Sequence, residues 1–174
     1  ERRFLGHLNL RADPRDPVVI GAVQRVLGCG LPVRPNTVAE GSAGAALWLG
    51  PTEWLLVMPQ DRVVAVARSL WEEAIGDAHA ALTDVSSGQT VICLRGDRAG
   101  EVLAQGCPLD LHPRVFGPGH SAQTHLARAG VTIWQRDAAP SYDLIVRRSF
   151  ADYLARWLEG GGIGQVVLRD NRLF

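Results

Sequence analysis

Asp84 is the carboxylate best placed to do chemistry, because it ends an apolar stretch, Ala80–Val85, immediately before Ser86-Ser87-Gly88. A carboxylate at a strand end can serve as a positioned base, or hold an amine or a pterin by charge. An Asp there can also close the next turn with its own side chain, and the local pattern favours that role. Ser86 lies in no GxSxG elbow, so it reads as a turn residue rather than a nucleophile. Arg147-Arg148 could hold a carboxylate, although a solvated strand end is the simpler reading. The five histidines, His7, His79, His112, His120 and His125, contain no HxH or HxxxH pair. His120 and His125 share no face of a regular element, so no metal site is expected. Cys29, Cys93 and Cys107 form no CxxC pair and read as buried reduced thiols, which suits a cytoplasmic location. Gly160, Gly161, Gly162 and Gly164 follow a helical segment instead of joining a strand to a helix, so dinucleotide binding is not expected. The residues alone thus describe a binding or structural module without an active site of its own.

Composition narrows the classes further. The 174 residues can bury roughly 70% of their unfolded surface, enough for a core. Hydrophobic residues at 47% and charged residues at 21% exclude wholesale disorder. All 18 basic residues are Arg and they balance 18 acids. Without Lys there is no Schiff base and no P-loop. Zero net charge disfavours a nucleic-acid or membrane-surface partner, since both reward a cationic excess. Five Trp residues lack the basic groove that base stacking needs. No apolar run reaches the roughly 18 residues of a membrane span. The chain opens on Glu1 rather than Met, which leaves room for a preceding segment, a removed targeting sequence included.

The elements that would position these residues follow from periodicity and breakers. A strand is predicted at Phe4–Leu10, then a helix capped by Asp16-Pro17 and ended by Gly28. The loop from Leu31 to Thr37 is held irregular by two prolines. Strands Ala45–Leu49 and Trp54–Met58 form a hairpin around Gly50-Pro51-Thr52-Glu53. Asp61 is the expected cap of a helix with Val63, Ala67, Leu70, Trp71 and Ala74 on its buried stripe. Strands Ala80–Val85 and Gln89–Arg95 come next, then a short helix to about Gln105. Gly106–Ser121 reads as a long ordered loop. A hairpin of Ala122–Arg128 and Val131–Gln135 is predicted around Ala129-Gly130, followed by a strand at Tyr142–Arg147. Ser149 is the expected cap of a last helix, with Phe150, Tyr153, Leu154, Trp157 and Leu158 on its stripe; Gly160–Gly162 stops it. The order β-α-β-β-α-β, β-α-β-β-β-α reads as an α+β fold of two ferredoxin-like split βαβ halves in series, with largely antiparallel sheets. The expected domain is 1–159, with pseudo-halves of about 1–85 and 86–159. A Gly-rich linker and tail occupy 160–174, with a strand-like run at Val166-Val167-Leu168. Trp48…Leu55-Leu56-Val57…Leu70-Trp71 echoes Trp134…Leu144-Ile145-Val146…Trp157-Leu158.

Longer segments carry a resemblance. Thr83-Asp84-Val85-Ser86-Ser87-Gly88 leads into Gly106-Cys107-Pro108-Leu109-Asp110-Leu111-His112-Pro113, then Phe116-Gly117-Pro118-Gly119. With Trp48-Leu49-Gly50-Pro51-Thr52-Glu53-Trp54-Leu55 and Arg147-Arg148-Ser149-Phe150, the chain from about residue 4 to 158 resembles the gamma subunits of heterotetrameric sarcosine oxidase. The Asp84-Val85-Ser86 segment is shared with the wider folate-binding aminomethyltransferase superfamily, which includes the glycine-cleavage T-protein. The resemblance implies the aminomethyltransferase-like fold, two ferredoxin-like halves packed together. It also implies a non-catalytic structural subunit in an enzyme that demethylates sarcosine to glycine, with tetrahydrofolate as one-carbon acceptor and hydrogen peroxide as product. FAD, FMN, NAD, zinc and tetrahydrofolate would belong to partner subunits, with no cofactor in this chain. Its partners would be the alpha, beta and delta subunits, chiefly alpha. Asp84 is carried as a weak candidate for cofactor binding, and no catalytic role is transferred to it.

Docking is expected through the Gly106–Ser121 loop. Its prolines stiffen it, which lowers the entropy lost on binding, and Leu109, Leu111, Arg114, Val115 and Phe116 are the candidate contacts. The same apolar side chains could instead fill the core. The alternative function is an independent folate-binding one-carbon protein that uses Asp84. Self-association of the isolated chain is a further possibility.

Overall fold

The computed structural model describes residues 5–72 and 79–161. They form two compact units, divided between Ser87 and Gly88. The first contains β1 (Leu5–Arg11), α1 (Pro17–Leu27), β2 (Val38–Glu40), β3 (Ala45–Gly50), β4 (Glu53–Pro59), α2 (Val63–Leu70) and β5 (Ala81–Asp84). Its sheet runs β2-β3-β4-β1-β5, with every pairing antiparallel. Helix α1 starts where expected: Asp16 accepts hydrogen bonds from the N–H groups of Val18 and Val19, and Pro17 follows it. Gly28 ends the helix at φ 77°, a left-handed conformation in which its N–H reaches the carbonyl of Gln24. One face of the sheet packs under the helices. Leu8, Leu10, Ala46, Trp54, Leu56 and Met58 meet Val19, Ala22, Val23, Leu27, Val63, Val66 and Leu70. The indole of Trp54 donates to the carbonyl of Pro32 at 2.8 Å, which ties the proline-fixed loop to that core.

The second unit contains β6 (Gln89–Arg95), α3 (Ala99–Ala104), β7 (Ser121–Leu126), β8 (Ala129–Asp137), β9 (Ser141–Arg147) and α4 (Ala151–Gly161). Its sheet runs β6-β9-β8-β7, again antiparallel throughout. Ile92, Leu94, Ile133, Leu144 and Val146 face Val102, Leu103, Leu154 and Leu158. The strand-like run Val166–Leu168 and the stripe residue Ala74 lie outside the described residues.

Several local expectations change. The three-residue strand β2 is not legible from its sequence; it pairs only with β3 at the sheet edge. Asp61 lies inside a 3-10 turn, Gln60–Arg62, and makes no cap. In α2, Val63 and Leu70 are buried as expected and Ala67 packs partly against the same core, but Val66 joins them and Trp71 is 55% exposed. Ser149 likewise sits within a 3-10 turn, Arg148–Phe150, rather than capping α4. The β7–β8 hairpin turns at Ala127-Arg128, because Leu126 pairs with Ala129. Ala127 takes the left-handed position at φ 52°, while Gly130 lies in the strand opposite His125.

With β2 included, the two units repeat the order β-α-β-β-β-α, and both sheets place their first strand beside their fourth. Registers fix the equivalences. Leu8 opposite Leu56 and Leu10 opposite Trp54 match Ile92 opposite Leu144 and Leu94 opposite Tyr142. The tryptophan echo is therefore one residue out of register. Trp48 packs toward the helix-side core, whereas Trp134 follows core residue Ile133 and points to the other face. The true echo is Leu10-Arg11-Ala12-Asp13 against Leu94-Arg95-Gly96-Asp97.

Candidate functional site

Asp84 ends β5 opposite Leu8 and is exposed. One carboxylate oxygen accepts from the backbone N–H of Ser86 at 2.9 Å and from the Ser86 hydroxyl at 2.5 Å. The Ser86 hydroxyl in turn accepts from the backbone N–H of His7 at 2.9 Å. The backbone carbonyl of His7 takes the N–H of Val85 at 2.9 Å. This is an Asx-type closure of the turn leaving β5, and it sews that turn to β1. The Asp84-Val85-Ser86 segment thus has a structural task in this chain.

His7 is the group that sequence reading passed over. It sits on β1 opposite Val57, on the face away from the α1/α2 core, and is only 1% exposed. Neither ring nitrogen has a hydrogen-bond partner among the described residues. Burial pulls its pKa down to about 4, against an opposing pull from the Asp84 carboxylate. The ring is therefore neutral at neutral pH. Strand alternation gave no signal for it, since His7 falls in the same polar phase as Asn9 and Arg11.

A second buried polar group lies on β8 and β9. The Arg136 guanidinium stacks 3.7 Å above the Trp134 ring. Arg136 Nε is 3.8 Å from a carboxylate oxygen of Asp143, which is 2% exposed. Trp134 and Arg136 are two apart on one strand and so share a face, and Asp143 pairs directly with Trp134. That ion pair holds the strands together by charge and cation–π attraction.

The Gly106–Ser121 loop is ordered by its own bonds. Asp110 accepts the His112 N–H at 2.9 Å, and the His112 carbonyl accepts from Val115 and Phe116 at 2.8 and 2.9 Å. Leu111 and Phe116 are buried in the core of the second unit, where the Phe116 ring leans on His120, and Leu109 packs partly against that core. Arg114 and Val115 remain at the surface, Val115 being 60% exposed.

Elsewhere, an open depression of about 670 Å³ is overhung by Arg11 and Arg15. Glu53 already engages Arg11 at 3.1 Å, and Asp13 engages Arg15 at 3.0 Å. Among the described residues, no three His, Cys, Asp or Glu side chains group to hold a metal ion. No described helix is long and apolar enough to cross a membrane. The three cysteines are free; burial pushes the Cys29 thiol up, and Cys29 bonds to the Ala39 carbonyl at 3.4 Å.

The architecture is that of the aminomethyltransferases. The chain aligns with aminomethyltransferase T of the glycine cleavage system from Bartonella henselae at a TM-score of 0.66 over 90% of this chain and 44% of that one. Identity there is 12%, so the likeness is one of fold. More narrowly, residues 11–163 match the sarcosine oxidase gamma subunit family, and the chain belongs to that family. It is 36% identical over 159 residues to sarcosine oxidase subunit gamma of Corynebacterium sp. strain P-1, covering 91% of this chain and 76% of that protein. Identity to the strain U-96 subunit is 35%, covering 91% and 75%. A solved heterotetrameric sarcosine oxidase from Corynebacterium sp. U-96, in complex with pyrrole 2-carboxylate, aligns at a TM-score of 0.83 and 34% identity, over 92% of this chain and 80% of the matched one.

Proposed function

We propose that this chain serves as the non-catalytic gamma subunit of a heterotetrameric sarcosine oxidase acting in the cytoplasm. The observation that carries this reading is the 0.83 TM-score match to a chain of the heterotetrameric enzyme, extending over 92% of this chain. In this role it supports the oxidative demethylation of sarcosine to glycine, with tetrahydrofolate accepting the one-carbon unit and hydrogen peroxide as product. FAD, FMN, NAD, zinc and the folate sit on the alpha, beta and delta subunits. Contact is made chiefly with alpha, through the Gly106–Ser121 loop. Within that loop, Leu109, Leu111 and Phe116 anchor the backbone, and the exposed Arg114 and Val115 offer the contact surface. Arg is enriched at interface hot spots, and a pre-ordered loop loses less entropy on docking.

Co-expression with the other three subunits tests both parts. The expected product is a yellow complex that retains this chain. An Arg114→Glu, Val115→Asp double variant should keep the native circular dichroism yet lose retention by roughly tenfold or more, as hot-spot loss does. Full retention by that variant would remove the loop from the interface. A complex that assembles and turns over at the normal rate without this chain would remove the subunit role.

A further inference from the structure

The repeat between the two units extends from the strands into the helices. A 3-10 turn, Gln60–Arg62, leads into α2, and Arg148–Phe150 leads in the same way into α4. Aligned from those turns, Val66 and Leu70 correspond to Leu154 and Leu158, each pair buried in the core of its own unit. Ala67 and Ala155 correspond as well, and both pack partly against those cores. From 64 to 72 and from 152 to 160, every residue of one helix has the same burial as its counterpart. The two helices meet their sheets in the same way, so α4 serves as a built-in control for α2.

Their outer faces differ in chemistry. At three exposed positions with i, i+4, i+7 spacing, α4 carries Asp152, Arg156 and Glu159. Arg156 pairs with Asp152 at 3.1 Å, as charged residues one turn apart do on a helix face in water. In the same places α2 carries Val64, Arg68 and Trp71, with Val64 70% exposed. Residues three and four apart are neighbours on a helix, so these three share one face. Val64 stands where Asp152 stands, and Arg68 therefore lacks the carboxylate that Arg156 has. Among the described residues no ion pair engages Arg68. The fold does not demand the exchange, since α4 packs with charged residues there. Leaving Val and Trp in water forgoes the gain from burying their apolar surface, and Trp and Arg are the types enriched at interface hot spots.

We propose that the Val64–Arg68–Trp71 face of α2 is the seat of another subunit of the oxidase complex, one that offers an apolar recess to the Trp71 ring and a carboxylate to the Arg68 guanidinium. Charge selects this occupant over a second copy of the chain. Two copies of the face meeting about a two-fold axis would bring Arg68 against Arg68, because Arg68 lies between Val64 and Trp71, and like charges at an interface oppose docking. The inference rests on the subunit role proposed for the chain, and it adds a contact in the first unit that the Gly106–Ser121 loop does not supply.

The repeat supplies the test variant. Val64→Asp combined with Trp71→Glu gives α2 the exposed residues of α4, so the full chain should keep its circular dichroism and its urea midpoint. On co-expression with the other three subunits, retention of this variant in the complex should fall roughly tenfold or more. Arg68→Glu should lower retention further than Arg68→Gln, because reversal sets two carboxylates against each other; equal losses would overturn the partner carboxylate. A second readout leaves the interface intact. The thiol introduced by Val64→Cys should alkylate several-fold more slowly in the complex than in the full chain alone, with peptide mass spectrometry separating it from Cys29, Cys93 and Cys107. Full retention of the double variant, together with equal alkylation in both states, would overturn the proposal and leave the subunit role standing. Alkylation that slows as the isolated chain is concentrated would overturn it in favour of a second copy. Failure of the unmodified chain to co-purify with any other subunit would overturn the subunit role, and this contact with it.

Discussion

Lowering the pH isolates the energetic role of His7. In the folded chain its pKa is about 4, against an ordinary value of 6.5, with burial as the main cause. The folded state therefore resists protonation that the unfolded chain accepts. The contribution is fully present above pH 6.5, and it is lost progressively as pH falls from 6.5 towards 4; below that both states are protonated and the loss levels off. At 1.36 kcal/mol per pKa unit, the full loss is about 3 kcal/mol. That is a sizeable part of the 5–15 kcal/mol of a typical domain. Urea unfolding of the chain and of a His7→Gln variant should be compared at pH 7.5, 6, 5 and 4.5. Other carboxylates titrate in both proteins, so their effects largely cancel in the difference. The stability of the unmodified chain should fall relative to the variant by roughly 2 kcal/mol or more between pH 7.5 and 4.5. Adding Asp84→Asn should steepen the fall, because it removes the charge that partly supports the protonated ring. A difference that stays flat within about 0.5 kcal/mol across this range would mean that His7 protonates at no cost. Its ring would then be solvated in the folded chain, not buried.

The Gly106–Ser121 loop yields a contrasting pair of outcomes. Phe116→Ala should cost about 3–5 kcal/mol in chemical denaturation, as large-to-small changes in a core do, while Val115→Asp should stay within about 0.5 kcal/mol of the parent. Equal effects at the two positions would contradict the burial that separates them. Asp84→Ala removes the acceptor that closes the β5 turn and should cost about 1 kcal/mol, as loss of a side-chain cap does. Titration of the isolated chain with tetrahydrofolate should show no saturation below about 0.1 mM, a binding energy near 5.5 kcal/mol. Tight binding abolished by Asp84→Ala would instead favour the independent folate-binding reading.

Local chemistry was legible in the sequence wherever a residue acts on its immediate neighbours. Asp16-Pro17 and Gly28 delimit α1 because caps depend on two or three adjacent backbone groups. Short apolar runs located β4, β6 and β9, and the element order implied the α+β class. The Asp84 turn closure could be anticipated for the same reason, since its partner is two residues away. Only the tertiary structure decided what depends on distant partners. β2 is a strand because β3 lies beside it, and Ala127 rather than Gly130 turns the hairpin because the β7–β8 register requires it. Leu111 and Phe116 are core residues because α4 and the sheet of the second unit close over them, a fact that the apolar character of the loop does not contain. The register of the repeat belongs to the same class. Trp48 and Trp134 look equivalent in the chain, but one residue of offset in a strand moves a side chain to the other face, and only cross-strand pairing reveals that offset. His7 shows the same limit, since a histidine in a strand is an ordinary polar residue until folding removes it from water.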